Sequence, residues 1–402
     1  MTKQLLYFII FISLSLTQTS YAQLQLNGIV DLEISSGGKE SRFLDNGIPK
    51  DFRNAQLNIA QVSLIGFAPL SEKFFAESRL TIFTDGSGEL SNVSVQLATI
   101  SYNANENLTL TAGRFITPYG IYAQDQLVID RPFVEHPLSY TYVNNISSFL
   151  GLVTPGFRED YIYSQEVRSF RNTLFYGGYS TGLKFDWDAK PNNRLNISGA
   201  LTNQAISDYK TSNLPSLAGT IRVSGSPSPY IELGVSASHG SFFESEARNQ
   251  PFQATQDFSD YRQTILGGHF RWQFTYFEIT GEATYSNWET PLWVAGTFVQ
   301  DATTNELLDT RVSNLGTNMD IKYEPPFWTG GYFAFRADRL TFFDADNPVT
   351  GQSFEWDEDF WRLTGAVGYK FAPNVVGKIV FADQDEFNLD QYSLRIYLTA
   401  AF

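Results

Sequence analysis

The chain ends Gln391-Tyr392-Ser393-Leu394-Arg395-Ile396-Tyr397-Leu398-Thr399-Ala400-Ala401-Phe402. Counting back from Phe402, every second residue is apolar: Ala400, Leu398, Ile396 and Leu394. Ala401, Thr399, Tyr397, Arg395 and Ser393 lie between them. Successive side chains of a strand point to opposite faces, so a strict period of two writes one apolar face and one wetter face. Such a strand suits a wall with lipid on one side and a polar interior on the other.

The same period recurs upstream. It predicts about sixteen strands, at 24–34, 54–67, 74–84, 90–102, 108–115, 172–188, 194–204, 216–225, 230–239, 262–274, 276–288, 312–324, 330–341, 360–371, 375–384 and 391–402. In 54–67 the phase slips between Ile59 and Val62, which reads as a bulge. The connections alternate. Pro69–Lys73, Asn103–Asn107, Asp188–Asn193, Ser226–Pro229, Glu324–Thr329 and Ala372–Asn374 are short and rich in turn formers. Those between are mostly long: 35–53, 116–171, 205–215, 240–261, 289–311 and 342–359. The expected fold is therefore all-β, a transmembrane antiparallel β-barrel of about 16 strands with short periplasmic turns, long external loops and both termini on the periplasmic side. A soluble sandwich would not carry an apolar outward face all the way round.

Residues 1–22 carry Lys3, an apolar run from Leu5 to Leu16 and a polar stretch ending Ser20-Tyr21-Ala22. This reads as a cleaved secretory signal, with 23–402 as the barrel and Gln23 as its first residue. Cysteine is absent, so neither a disulfide nor a lipidated cysteine is expected. Acidic residues outnumber basic ones, 43 to 28, giving a net charge of −15. That balance argues against nucleic acid as a partner, since phosphate binding needs basic patches. The mean hydropathy of −0.20 is too low for a helical membrane protein, yet it suits a barrel, where only alternate residues meet lipid. Aromatic residues make up 15% of the chain, enough for interfacial girdles.

A barrel of this size is wide enough for a water-filled lumen. The third external connection, 116–171, is the longest and is rich in apolar residues, among them Ile121, Tyr122, Val128, Phe133, Phe149 and Leu150. A loop so long needs a packed or functional explanation. It is expected to fold into the lumen rather than cap it, with Arg114, Tyr119, Arg131, Glu135, Arg158, Glu159 and Asp160 at the constriction. Alternation places Glu77, Arg79, Arg222, Glu278, Glu282, Arg336, Asp338, Arg362 and Arg395 on the lumen side. Asp31, Glu33, Lys184, Asp186, Glu232, Arg271, Asp320, Lys322, Lys370 and Lys378 share that face. Opposed charges across a narrow pore favour polar solutes. The other reading for each charge is a solvated wall residue paired for stability.

The passage Leu108-Thr109-Leu110-Thr111-Ala112-Gly113-Arg114-Phe115-Ile116-Thr117-Pro118-Tyr119-Gly120 resembles the strand-to-loop passage of the phosphate-selective porin O/P family. There a Gly-x-Phe pair precedes a Pro-aromatic-Gly. The terminal Phe402 likewise resembles the assembly signal of bacterial outer-membrane barrels. The resemblance implies an outer-membrane porin, a homotrimer, and partners in outer-membrane lipid and the barrel assembly machinery. It does not carry phosphate selectivity, because that family's site depends on a lysine cluster and 116–171 contains no Lys.

Other chemistry finds little purchase. No catalytic residue, metal or cofactor is expected: His136, His239 and His269 have no ligand spacing, and no Gly-x-Ser-x-Gly is present. Asp344, Asp346 and Glu355–Asp359 lack the spacing of a calcium loop. The leading expectation is a passive diffusion channel for small hydrophilic solutes. The alternative is a barrel with a plugged lumen that serves surface binding or adhesion through its loops.

Overall fold

The computed structural model describes residues 24–38, 42–45, 48–51, 54–84, 90–147, 151–153, 178–190, 194–203, 205–206, 217–243, 260–294, 297–304, 306–386 and 389–402. The expected signal at 1–22 lies outside them, as do Phe149 and Leu150 of the long loop.

Among the described residues sixteen strands form the barrel. They are β1 Gln25–Gly37, β2 Gln56–Pro69, β3 Phe74–Thr84, β4 Leu90–Asn105, β5 Leu108–Ile116, β6 Tyr179–Lys190, β7 Leu195–Thr202 and β8 Ala218–Ser228. The second half is β9 Ile231–Ser241, β10 Arg262–Phe274, β11 Phe277–Val294, β12 Asp309–Tyr323, β13 Gly331–Phe343, β14 Phe360–Ala372, β15 Val375–Glu386 and β16 Leu389–Ala401. Each pairs antiparallel with its chain neighbour, and β1 closes the cylinder on β16 with Val30 opposite Ala400. Closure leaves no unpaired edge. All sixteen expected segments coincide with strands. The largest departure is β6, which begins at Tyr179 rather than 172; residues 172–177 lie outside the described set.

Register confirms the phase slip in β2. Asp31 pairs with Gln61 and Leu32 with Ile59, so Ala60 is the extra residue of a bulge. The alternation is physical as well. In β1, Asp31 and Glu33 are buried while Leu32 and Ile34 are exposed on the outside. In β13, Arg336 is buried between exposed Phe335 and the outward Ala337. Exposed outward apolar side chains such as Leu64, Ile100, Leu183, Val235 and Leu363 are the face a bilayer would cover.

Aromatic contacts mark both rims of that face. At the short-turn end Phe277 stacks on Tyr323 with centroids 4.5 Å apart, Trp272 lies 4.8 Å from Phe274, and Trp328 stacks on Tyr369. At the long-loop end Tyr285 meets Phe343, and Phe381 stacks on Tyr392. Such girdles sit where hydrocarbon gives way to headgroups. The chain terminus completes the wall: Phe402 N–H donates to Gly28 O at 2.9 Å, Gly28 N–H returns a bond to Phe402 O at 2.7 Å, and the Phe402 ring lies over Gly28.

Candidate functional site

The chain leaves the wall after β5 in two steps. Gly113 sits in the strand with φ of +125°, where a Cβ would meet Ala98 O at 2.1 Å. Gly120 has φ of +55°, and a Cβ there would meet the Glu282 carboxylate and the Tyr140 hydroxyl. Only glycine fits either position without strain. Between them Thr117 Oγ1 and Ser180 Oγ approach to 2.7 Å, tying the turn to β6.

Residues 117–147 then run against inward-facing wall side chains. The first anchor lies on β8–β11. Gly120 N–H donates to Ser236 Oγ (3.0 Å), and Ile121 N–H donates to Glu282 Oε2 (2.7 Å). Tyr140 OH donates to Glu282 Oε1 (2.5 Å), Arg222 Nε donates to Gly120 O (2.8 Å), and Arg271 pairs with Asp125 at 2.9 Å. Burial pushes the Asp125 carboxyl up from its ordinary value, opposed by the Arg271 guanidinium.

The second anchor lies on β13–β16. Lys378 Nζ donates to Val128 O and to Arg131 O, the latter at 2.6 Å. Tyr332 OH donates to Pro132 O (2.9 Å), Arg336 Nη1 to Glu135 O (2.8 Å) and Arg362 Nη2 to His136 O (2.7 Å). Leu138 N–H donates to Asp338 Oδ1. Arg395 and Glu135 approach to 2.8 Å, in a geometry that makes an ion contact rather than a hydrogen bond. Four neighbouring strands thus offer cations, and the loop answers chiefly with backbone carbonyls. The arginines can do this because their charges are balanced within the wall: Arg336 binds Asp320 through two bonds of 2.6 Å, and Arg362 pairs with Asp338 at 3.2 Å. A guanidinium carries five donors in a fork, so a paired arginine still has N–H groups for a carbonyl.

A third anchor fixes the loop near the barrel mouth. Asp357 accepts from Tyr142 OH at 2.9 Å and from Asn145 N–H at 3.0 Å. Around it Tyr142, Trp288, Phe342, Trp356, Phe242 and Leu292 form a buried apolar cluster. Gly151–Val153 runs parallel to Leu292–Trp293 at the end of β11.

The expected constriction residues divide. Tyr119, Arg131 and Glu135 are buried in the loop, and Arg114 lies in β5. Arg158, Glu159 and Asp160 lie outside the described residues. Glu282, Arg336, Asp338, Arg362 and Arg395 face inward but are buried in contacts with the loop or each other, so they do not form a wetted wall. Arg222 is held by Glu232 at 2.9 Å, and Glu278 takes a bond from Gln273. Glu77 remains half-buried. Arg79 donates to Tyr179 OH at 2.9 Å. The anchoring roles of Tyr140, Asn145 and Asp357 escape sequence reasoning, because no local pattern marks a residue that binds a segment 142 to 215 positions away.

The β2–β4 wall is different. Ser63 and Thr81 meet at 2.9 Å, and Thr81 donates to Gln96 at 2.9 Å. Here Asn58, Gln61 and Gln96 keep partial exposure on the inner face. A depression of about 1010 Å³ bordered by Val223, Leu233, Phe270 and Met319 opens on the outward face and belongs to the lipid side, not the lumen.

A closed antiparallel barrel of sixteen strands is the fold this chain shares with solved outer-membrane proteins. It is similar to the outer membrane channel DcaP of Acinetobacter baumannii (TM-score 0.57, 9% identity, 96% of this chain and 99% of that one). It is similar to an anion-selective porin from Comamonas acidovorans (TM-score 0.56, 10% identity, 95% and 100%). It also resembles OmpT, an outer membrane protein of Vibrio cholerae (TM-score 0.54, 8% identity, 96% and 99%). At such identities the likeness is one of fold. No protein-family model matches the sequence, and no curated protein matches it.

Proposed function

We propose that the protein is a non-enzymatic outer-membrane porin, a passive diffusion channel for small hydrophilic solutes. The observation that carries this is the anchored loop. Residues 117–147 bind β8–β11 and then β13–β16, while inward side chains of β2–β4 stay partly exposed. A narrowed, polar opening in a barrel otherwise wide enough for water admits solutes by size and polarity. The proposal includes export through a signal at 1–22, folding by the barrel assembly machinery, and a homotrimer in outer-membrane lipid. Arg114, Tyr119, Arg131 and Glu135, with Arg158, Glu159 and Asp160, are the proposed constriction residues. The passage 108–120 supports kinship with the phosphate-selective porins, whereas the Lys-free loop gives no support to phosphate selectivity.

The aromatic cluster of Tyr142, Trp288 and Trp356 favours the second reading, a plugged barrel used for surface binding. Purified protein in planar bilayers separates the two. Discrete conductance steps, with entry of small sugars into proteoliposomes, support the pore; a folded protein giving neither supports the plug.

A further inference from the structure

Charge is missing from one stretch of the wall. No Asp, Glu, Lys, Arg or His occurs in β2 from Gln56 to Pro69 or in β4 from Leu90 to Asn105. Between them β3 carries Glu77 and Arg79, and Arg79 is buried against the Tyr179 hydroxyl. Beside half-buried Glu77, the inward side chains that keep partial exposure on these strands include four amides. Asn58 and Gln61 stand on β2, Gln96 and Asn103 on β4. Asn58 lies toward the long-loop end and Asn103 toward the short-turn end, so the amides span the wall.

Hydrogen bonds fix which way each amide faces. Gln96 is the extra residue of a bulge, since Arg79 pairs with Leu97 and Leu80 with Val95. Thr81 gives its only proton to Gln96 Oε1 at 2.9 Å, so Ser63 Oγ must donate to Thr81, also at 2.9 Å. Tyr179 OH reaches the same Gln96 oxygen at 3.4 Å. That oxygen is satisfied, and the Gln96 NH2 has no partner among the described residues. Asn103 repeats the arrangement: Thr109 donates to its Oδ1 at 3.0 Å and leaves the NH2 free. Gln61 and Asn58 are turned the other way. Gln61 Nε2 donates to Asp31 and Asn58 Nδ2 to Gln56, so both side-chain oxygens keep their lone pairs. None of these free groups is shut off from water. Asp31, which takes the Gln61 bond and one from Thr399, is itself buried.

We propose that the inner face of β2–β4 is a recognition lane for uncharged, hydroxyl-rich solutes of the sugar and polyol class. This rests on the porin reading above and names its substrate class. The lane offers donors at Gln96 and Asn103 and acceptors at Gln61 and Asn58. A hydroxyl donates and accepts at one atom, so a polyol uses both kinds. A carboxylate finds only the donors, and an ammonium only the acceptors. An ion that sheds water in a narrow passage loses more than amides return, because they supply no opposing charge.

The test is uptake of labelled glucose, glucuronate and glucosamine into proteoliposomes of the full chain. Potassium chloride is equal on both sides, and the mildly acidic pH keeps both ions charged. The three solutes share a pyranose ring and are close in size. Glucose is expected to enter severalfold faster than either ion, with an initial rate that saturates. Gln96→Glu keeps an oxygen for Thr81 and Tyr179 and replaces the free donors with charge; Asn103→Asp does the same beside Thr109. Each is expected to slow glucose and to raise glucosamine over glucuronate. Heat-modifiable mobility checks folding, and if one variant fails to assemble the other reads the same outcome. Should both fail, the charge order and saturation of the parent decide. Equal parent rates, a rate that favours an ion, or a glucose rate that stays linear overturns the proposal. So does a folded variant with the parent's order and rates. A parent that neither conducts nor admits any of the three defeats the porin reading itself, a separate outcome.

Discussion

Arg336 shows how a wall charge changes meaning once its neighbours are known. From alternation alone it is an inward arginine that ions would feel. In the folded chain its fork grips Asp320, its remaining donor takes Glu135 O, and its face packs 4.5 Å from the Phe133 ring centroid. Removing one partner of a buried pair strands the other charge, at a cost of about 3–5 kcal/mol. Arg336→Met is therefore expected to lower the unfolding temperature and weaken heat-modifiable folding. Arg79→Glu, whose partner is a tyrosine hydroxyl, is expected to fold and to shift the reversal potential toward cations. His136 supplies a pH test. Burial first, then Arg131, Arg336 and Arg362, holds its imidazole well below the ordinary 6.5. The unfolded chain takes up a proton as pH falls through about 6.5 while the folded chain does not, so stability declines on the acid side. Melting measured from pH 7 to 5 is expected to fall less in His136→Gln than in the parent; equal slopes would contradict the assignment.

At the scale of the element, strands were legible because each carries its own record. The period of two in β16, β13 and β9 states which residues face lipid, and the slip at Ala60 was written into β2 as a break in phase. The loop was legible only in part. Its length and apolar content pointed inward. Its anchors were not readable, because Glu282, Lys378, Arg336 and Asp357 meet it through tertiary contacts that no local spacing encodes. The contacts that cover the inward charges were unreadable for the same reason: alternation gives a face but not what covers it. The closing strand yields its own prediction. Deleting Phe402 removes two backbone bonds to Gly28 and uncovers that part of β1. Assembly into membranes, followed by heat-modifiable mobility, is expected to drop; an unchanged folded fraction would show that the terminal aromatic is dispensable.

Across the whole molecule, the barrel supplies a closed wall and the loop determines what the wall encloses. Both rims carry outward aromatic contacts, and both termini of the barrel meet at the short-turn side, where β1 pairs with β16. An exported barrel should begin at Gln23, and N-terminal sequencing of the membrane-extracted protein checks this; retention of Met1 in a soluble fraction would count against export. The central claim is that residues 117–147 narrow an aqueous path. It is tested most directly by comparing single-channel conductance of the parent with a chain in which residues 121–140 are replaced by a short Gly-Ser link. The account predicts a folded variant whose conductance rises at least severalfold. A folded variant that conducts as the parent does would contradict it.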